Sequence, residues 1–161
     1  MKHSEFFRKT VTAVCLISAL AGLFGCSKAQ RHEVSQIVSV SISCSHMDYS
    51  YGYHFLLRKE NGVWLFDAEC FTDDFQTQTV FADKTVGDDK ITELFDIIEK
   101  NETVKFAETY KKPTKIFEVL DETMYGLCLT FDDGSRYNAD SIGSAMQELE
   151  SFFYRLAEES D

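Results

Sequence analysis

Asn61-Gly62 is the feature that most constrains the fold. Asn and Gly both reach the positive φ values that a two-residue hairpin turn demands. Set between Tyr53–Lys59 and Val63–Phe71, the pair fixes a register of Leu57 with Phe66, Phe55 with Ala68 and Tyr53 with Cys70. Those six side chains then share one face with Trp64, while His54, Arg58, Asp67 and Glu69 share the other. Turn chemistry and face chemistry agree, because a slip of one residue would turn every side chain over.

The same period of two starts upstream. Val38, Val40, Ile42 and Cys44 alternate with Ser39, Ser41 and Ser43, which predicts a strand with one solvated face. A further strand is expected near Thr77–Ala82. The period then changes: Ile91, Leu94, Phe95 and Ile98 recur every three or four residues and predict a helix over 88–100, with Asp88 or Asp89 capping its start and Asn101 closing its end. Residues 102–119 carry mixed signals, since Val104 and Phe106 alternate and Lys111-Lys112-Pro113 breaks any pattern; part of Lys115–Leu120 is expected as strand.

A second hairpin joins Tyr125–Phe131 to Ser135–Ala139. A two-residue Asp133-Gly134 turn would set Arg136 and Asn138 beside Phe131 and Leu129. A three-residue loop with Gly134 left-handed instead aligns Leu129 with Tyr137 and Leu127 with Ala139, and is the better fit to the apolar face. A last helix beginning near Ser141 carries Ile142, Ala145, Met146, Leu149, Phe152, Phe153 and Leu156 as a wide apolar stripe. The expected fold is a single α+β domain, an antiparallel sheet of about five to six strands with two amphipathic helices packed on one face.

The first 26 residues are of another kind. Lys2, Arg8 and Lys9 precede an apolar run from Val11 to Phe24, which is too short to span a bilayer and stops at Gly25-Cys26 before the polar Ser27-Lys28-Ala29-Gln30. The segment Leu23-Phe24-Gly25-Cys26 resembles the lipobox of bacterial lipoproteins, matching at Leu23, Gly25 and Cys26 and departing at Phe24, where a smaller residue is usual. The resemblance covers residues 1–26. It implies cleavage before Cys26, a diacylglyceryl group and palmitate-type acyl chains on that residue, and an extracytoplasmic, membrane-anchored place in the cell envelope. Ordinary cleavage after Ala19-Leu20-Ala21, giving a freely secreted protein, is the competing reading. The organisation expected is a signal peptide at 1–25, a flexible tether at 26–33 and a globular domain at 34–161.

Removing residues 1–25 takes three of the 16 basic and one of the 27 acidic residues, leaving 13 against 26 and a formal charge of −13. That balance excludes a nucleic-acid partner, which needs a basic face, and permits a cationic or protein partner. Of the five cysteines, Cys44, Cys70 and Cys128 remain outside the signal and the anchor. Cys44 and Cys70 share an apolar face, so one bridge between them or two buried thiols would satisfy the pattern; the thiol reading is preferred.

Catalytic and metal signatures are sparse. His54 and Glu69 should sit opposite each other, an arrangement that serves proton transfer or, more commonly, cross-strand charge pairing. Cys44 lies near His46 and His54 in sequence, but an apolar face disfavours a thiolate. Asp73-Asp74, Asp88-Asp89 and Asp132-Asp133-Gly134 lack the alternating ligands of a calcium loop and read as turns and caps. Neither a metal nor a cofactor is expected. The remaining suggestive stretch puts Tyr49, Tyr51 and Tyr53 on alternate residues beside Gly52, which suits peptide or sugar contact and equally suits extension of the hairpin over the core edge. The function expected is a monomeric, non-enzymatic binding module of the envelope, held to the membrane through Cys26, with inhibition of a cationic envelope hydrolase such as a lysozyme as the alternative.

Overall fold

The computed structural model describes residues 31–46, 51–71, 77–111 and 123–159. Cys26, Tyr49 and the expected strand at Lys115–Leu120 lie outside them. His32–Asp161 forms one compact unit. Its six strands are β1 (Ile37–His46), β2 (Gly52–Glu60), β3 (Val63–Phe71), β4 (Thr77–Val86), β5 (Thr123–Phe131) and β6 (Arg136–Ala139). They make one antiparallel sheet in the order β4-β3-β2-β1-β5-β6. The helices α1 (Asp88–Lys100), α2 (Thr103–Thr109) and α3 (Met146–Glu158) bury their apolar sides in the same core. An α+β domain with helices on one sheet face is therefore what the sequence builds.

Both hairpins take the expected registers. Leu57 faces Phe66, Phe55 faces Ala68 and Tyr53 faces Cys70, across a turn in which Asn61 and Gly62 have φ of 51° and 83°. Leu129 faces Tyr137 and Leu127 faces Ala139, around Gly134 at φ 84°. The loop is held by the Asp133 carboxylate, which accepts from the Ser135 N–H at 2.8 Å.

Four details depart from expectation. In β1 a register shift between Ile37 and Ser39 turns Ile37 inward in place of Val38, as a bulge does by adding one residue to one strand. Gly87, not Asp88 or Asp89, is the N-cap of α1, and both acids sit in its first turn, where the helix dipole favours negative charge. Asn101 closes α1 as expected, its amide donating to the Ile97 carbonyl at 2.9 Å. The mixed segment after Asn101 contains a third helix, α2, entered through Glu102 in the left-handed conformation at φ 49°. Finally, α3 is preceded by a single 3-10 turn at Gly143–Ala145, with Ser141 Oγ accepting from the Gly143 N–H, so the regular helix begins five residues after Ser141.

Phe153 stands at the centre of the core. Its ring stacks on Phe55 with centroids 5.6 Å apart and meets Phe66 at 5.8 Å. Burying an aromatic side chain of this size contributes about 1.5–3 kcal/mol by area alone. The sheet's other face carries the polar set: Ser39, Ser41 and Ser43 of β1 beside Arg58 and His54 of β2.

Candidate functional site

Register places a distinct row at one end of the core. Tyr125 of β5 faces Cys44 of β1, Cys44 faces Tyr53 of β2, and Tyr53 faces Cys70 of β3. One step inward the equivalent row is Leu127, Ile42, Phe55 and Ala68, all buried and apolar. The core thus ends in a layer of phenols and thiols. Above it, Tyr51 hydrogen-bonds Thr123 Oγ1 at 3.2 Å and lies against the His46 ring at 5.3 Å.

Helix α3 supplies the rest. Glu150 and Tyr154 are four residues apart and occupy one flank of the helix. Tyr53 donates its hydroxyl to Glu150 Oε1 at 2.6 Å, and the Tyr154 ring stands edge-on to Tyr53 at 5.6 Å and to Phe55 at 5.2 Å. Of the tyrosines proposed from sequence, Tyr53 is 3% exposed and belongs to the core edge, whereas Tyr51 is 41% exposed, as is Tyr154. The segment expected to make contacts therefore divides: Tyr53 holds the carboxylate from beneath and Tyr51 meets solvent.

Electrostatics at this pole run in one direction. Burial, helped by the Glu150 charge, pushes the Cys44 thiol up to about 11, and burial followed by Glu69 does the same to Cys70. Tyr154 and Tyr125 are both raised to about 12, chiefly by burial and further by the neighbouring thiol and carboxylate charges. Tyr53 is raised further, by burial and by its bond to Glu150. At neutral pH the phenols and thiols of the layer are therefore uncharged.

The Cys44–Cys70 alternative resolves to free thiols. They lie on β1 and β3 with β2 between, roughly 9.6 Å apart at the usual strand spacing, beyond the roughly 7 Å that a bridge tolerates. Cys128, on the opposite sheet face from Leu127 and Leu129, is also free.

His54 and Glu69 do face each other across β2 and β3. The imidazole, however, hydrogen-bonds from Nε2 to Ser41 Oγ at 3.2 Å, a diagonal neighbour on β1. Ser41, His54 and Glu69 thus lie on one face of the sheet. Ser41 is on β1, an inner strand paired to β2 on one side and β5 on the other. Among the described residues no group of three or more His, Cys, Asp or Glu is placed to hold a metal ion.

The far end of the sheet is built differently. His32 packs on Phe131 with ring centroids 4.2 Å apart, Nε2 donates to Asp133 Oδ2 at 3.0 Å, and Nδ1 meets the Tyr137 hydroxyl at 2.6 Å. The His32 contact, with two hydrogen bonds from Ser135, holds the Asp133 carboxyl down at about 2. The domain's contacts thus begin at His32, two residues before Val34.

Glu150 and Tyr154 are the residues that sequence reasoning missed. Their spacing of four beside the apolar stripe of α3 is a signal that they share a flank, but nothing local says that the flank meets Tyr53, 97 residues away. No protein-family model, curated protein sequence or solved structure matches this chain.

Proposed function

We propose that this chain is a bacterial lipoprotein, anchored through Cys26 on the extracytoplasmic side of a membrane, whose domain acts by binding a partner rather than by catalysis. The observation that carries the binding reading is the pole just described, where Tyr51 and Tyr154 present ring surface to solvent beside the half-buried Glu150. Tyrosine offers large contact area at small entropic cost, which is why such residues dominate recognition surfaces. The anchor reading rests on Leu23, Gly25 and Cys26 after a short apolar run. Placement favours the combination. The chain enters the domain at His32, beside the β5–β6 turn, while the pole lies at the other end of β1. Ten residues of strand separate the two ends by roughly 33 Å.

Two measurements test this. Intact mass of the protein extracted from membranes should give a chain beginning at Cys26 with added acyl mass; a bare Cys26 thiol refutes the anchor. A photo-crosslinking residue in place of Tyr154 should capture a protein in intact cells, and the same residue at Asn138, exposed on the opposite sheet face, should not; equal capture at both sites, or none at Tyr154, refutes the pole.

The inhibitor reading is the narrower alternative. It is favoured by the acidic charge and by a carboxylate at the pole with no basic residue paired to it among the described residues. Salt-sensitive inhibition of a basic lysozyme would support it, and no inhibition at low ionic strength removes it.

A further inference from the structure

Glu150 is bonded differently from Glu148, Glu93 and Glu102 of the helical layer. Glu148 is paired with Lys100 at 2.9 Å, Glu93 with Arg155, and Glu102 with Lys105 at 3.0 Å. On the open face Asp67 is paired with Arg58. Glu150 is partly buried and accepts the Tyr53 hydroxyl, and among the described residues no ion pair joins it to Lys, Arg or His. A carboxylate taken partly out of water loses hydration that one neutral hydrogen bond only partly restores. Its immediate surroundings are rings: Tyr53 beneath, Tyr154 four residues along the same helix and Tyr125 within electrostatic reach.

Phenol rings present a negative face to a cation within about 6 Å. A charge centre bordered by aromatic faces, with no ion-paired Lys or Arg among the described residues, is the complement of a guanidinium, which stacks on rings and bonds carboxylates in a planar fork. The chain's formal charge of −11 would draw a basic partner toward it at a distance.

We infer that the pole formed by Glu150, Tyr154, Tyr53 and Tyr51 is a receptor for an arginine side chain of a basic protein. The guanidinium bonds the Glu150 carboxylate and lies against the exposed tyrosine rings, while the Tyr53 hydroxyl holds the carboxylate in place. This inference rests on the binding reading above and supplies the chemistry of its partner.

The test is calorimetric titration of the full chain in mild detergent with tetra-arginine at low ionic strength, against tetra-citrulline as the uncharged shape control. Wild type should bind tetra-arginine and leave tetra-citrulline unbound. Glu150→Gln should weaken binding at least tenfold, Tyr154→Ala by a similar factor, and Tyr154→Phe, which keeps the ring, by less than threefold. Glu148→Gln, an acid on the other flank of α3, should bind as wild type does. Thermal melts of each variant separate lost binding from lost fold, and Glu150→Gln keeps the size of the side chain and an acceptor for Tyr53. The inference is overturned if wild type does not bind, if Glu150→Gln binds as tightly as wild type, or if Glu148→Gln loses as much. Capture of a protein at Tyr154 in cells together with any of these results would leave the binding reading standing and remove only the cationic partner.

Discussion

Raising the pH above 9 should destabilise this domain through its thiols. Cys44 and Cys70 lie in the polar layer at the end of the core, and burial lifts each from 9.0 to about 11. Between these values the unfolded chain has released the two protons and the folded chain still holds them. Stability then falls as pH rises, by about 1.4 kcal/mol per pH unit for each thiol. Below pH 9 both states hold the protons and the contribution is intact; above about pH 11 the loss is complete. At pH 10 the two thiols together cost about 2.7 kcal/mol, a large part of the roughly 5–15 kcal/mol that holds a typical domain folded. The assay is urea unfolding under reducing conditions at pH 7, 9, 10 and 11, on wild type and on Cys44→Ala/Cys70→Ala. The double variant starts less stable because two small cavities replace the sulfurs, but it should lose less on going from pH 9 to 10. The thiol charges also raise Tyr125 and Tyr154, but these phenols are held up to about 12, above the pH 9 to 10 interval that is compared. Parallel pH profiles for the two proteins would refute the argument that burial holds these thiols neutral.

Three further outcomes are expected. Thr103 is 1% exposed and its hydroxyl has no hydrogen-bond partner among the described residues; Thr103→Val should stabilise the domain by about 1–2 kcal/mol, read as a higher urea midpoint at unchanged slope, and a lowered midpoint would mean that the hydroxyl is bonded in solution. Gly134 has φ 84° with open space around it, so Gly134→Ala should cost about 1 kcal/mol from backbone strain alone, and Gly134→Asn less; thermal melts of the two variants give the order. Phe153→Ala removes the ring that joins Phe55, Phe66 and Phe152, and should cost about 3–5 kcal/mol by chemical denaturation; a loss under 1 kcal/mol would place the centre of the core elsewhere.

What could be read from sequence was local. The turns at Asn61-Gly62 and Gly134 each need positive φ at a known residue, and that requirement carries the register of two strand pairs with it. The stripe of α1 is equally local, because its spacing repeats within one helix. Val38 misled because a bulge displaces the pattern without changing composition, and Ile37 beside it is as good a core residue. The helix α2 was hidden because it is only two turns long and starts from a left-handed Glu102, a residue with no sequence mark for that conformation. At the candidate site, Tyr51 and Tyr53 stood out by their alternation, and the structure separates an exposed ring from a buried one. Glu150 acquires its significance only when α3 is laid across β2, a long-range fact that spacing cannot state.

The outer strand β4 has a consequence for the anchored state proposed above. At Asp83, with φ 61°, β4 departs from regular pairing; Asp67 accepts the freed Asp83 N–H at 2.8 Å, and Arg58 joins both carboxylates. Molecules restricted to two dimensions collide side by side far more often than in solution, and an open strand edge is where such neighbours would zip together. A charged knot and a kink at that rim deny an incoming copy a straight ladder to extend. Were the chains crowded on one leaflet, as the proposed anchor implies, that rim would keep the domains apart and the proposed binding end free of its own kind.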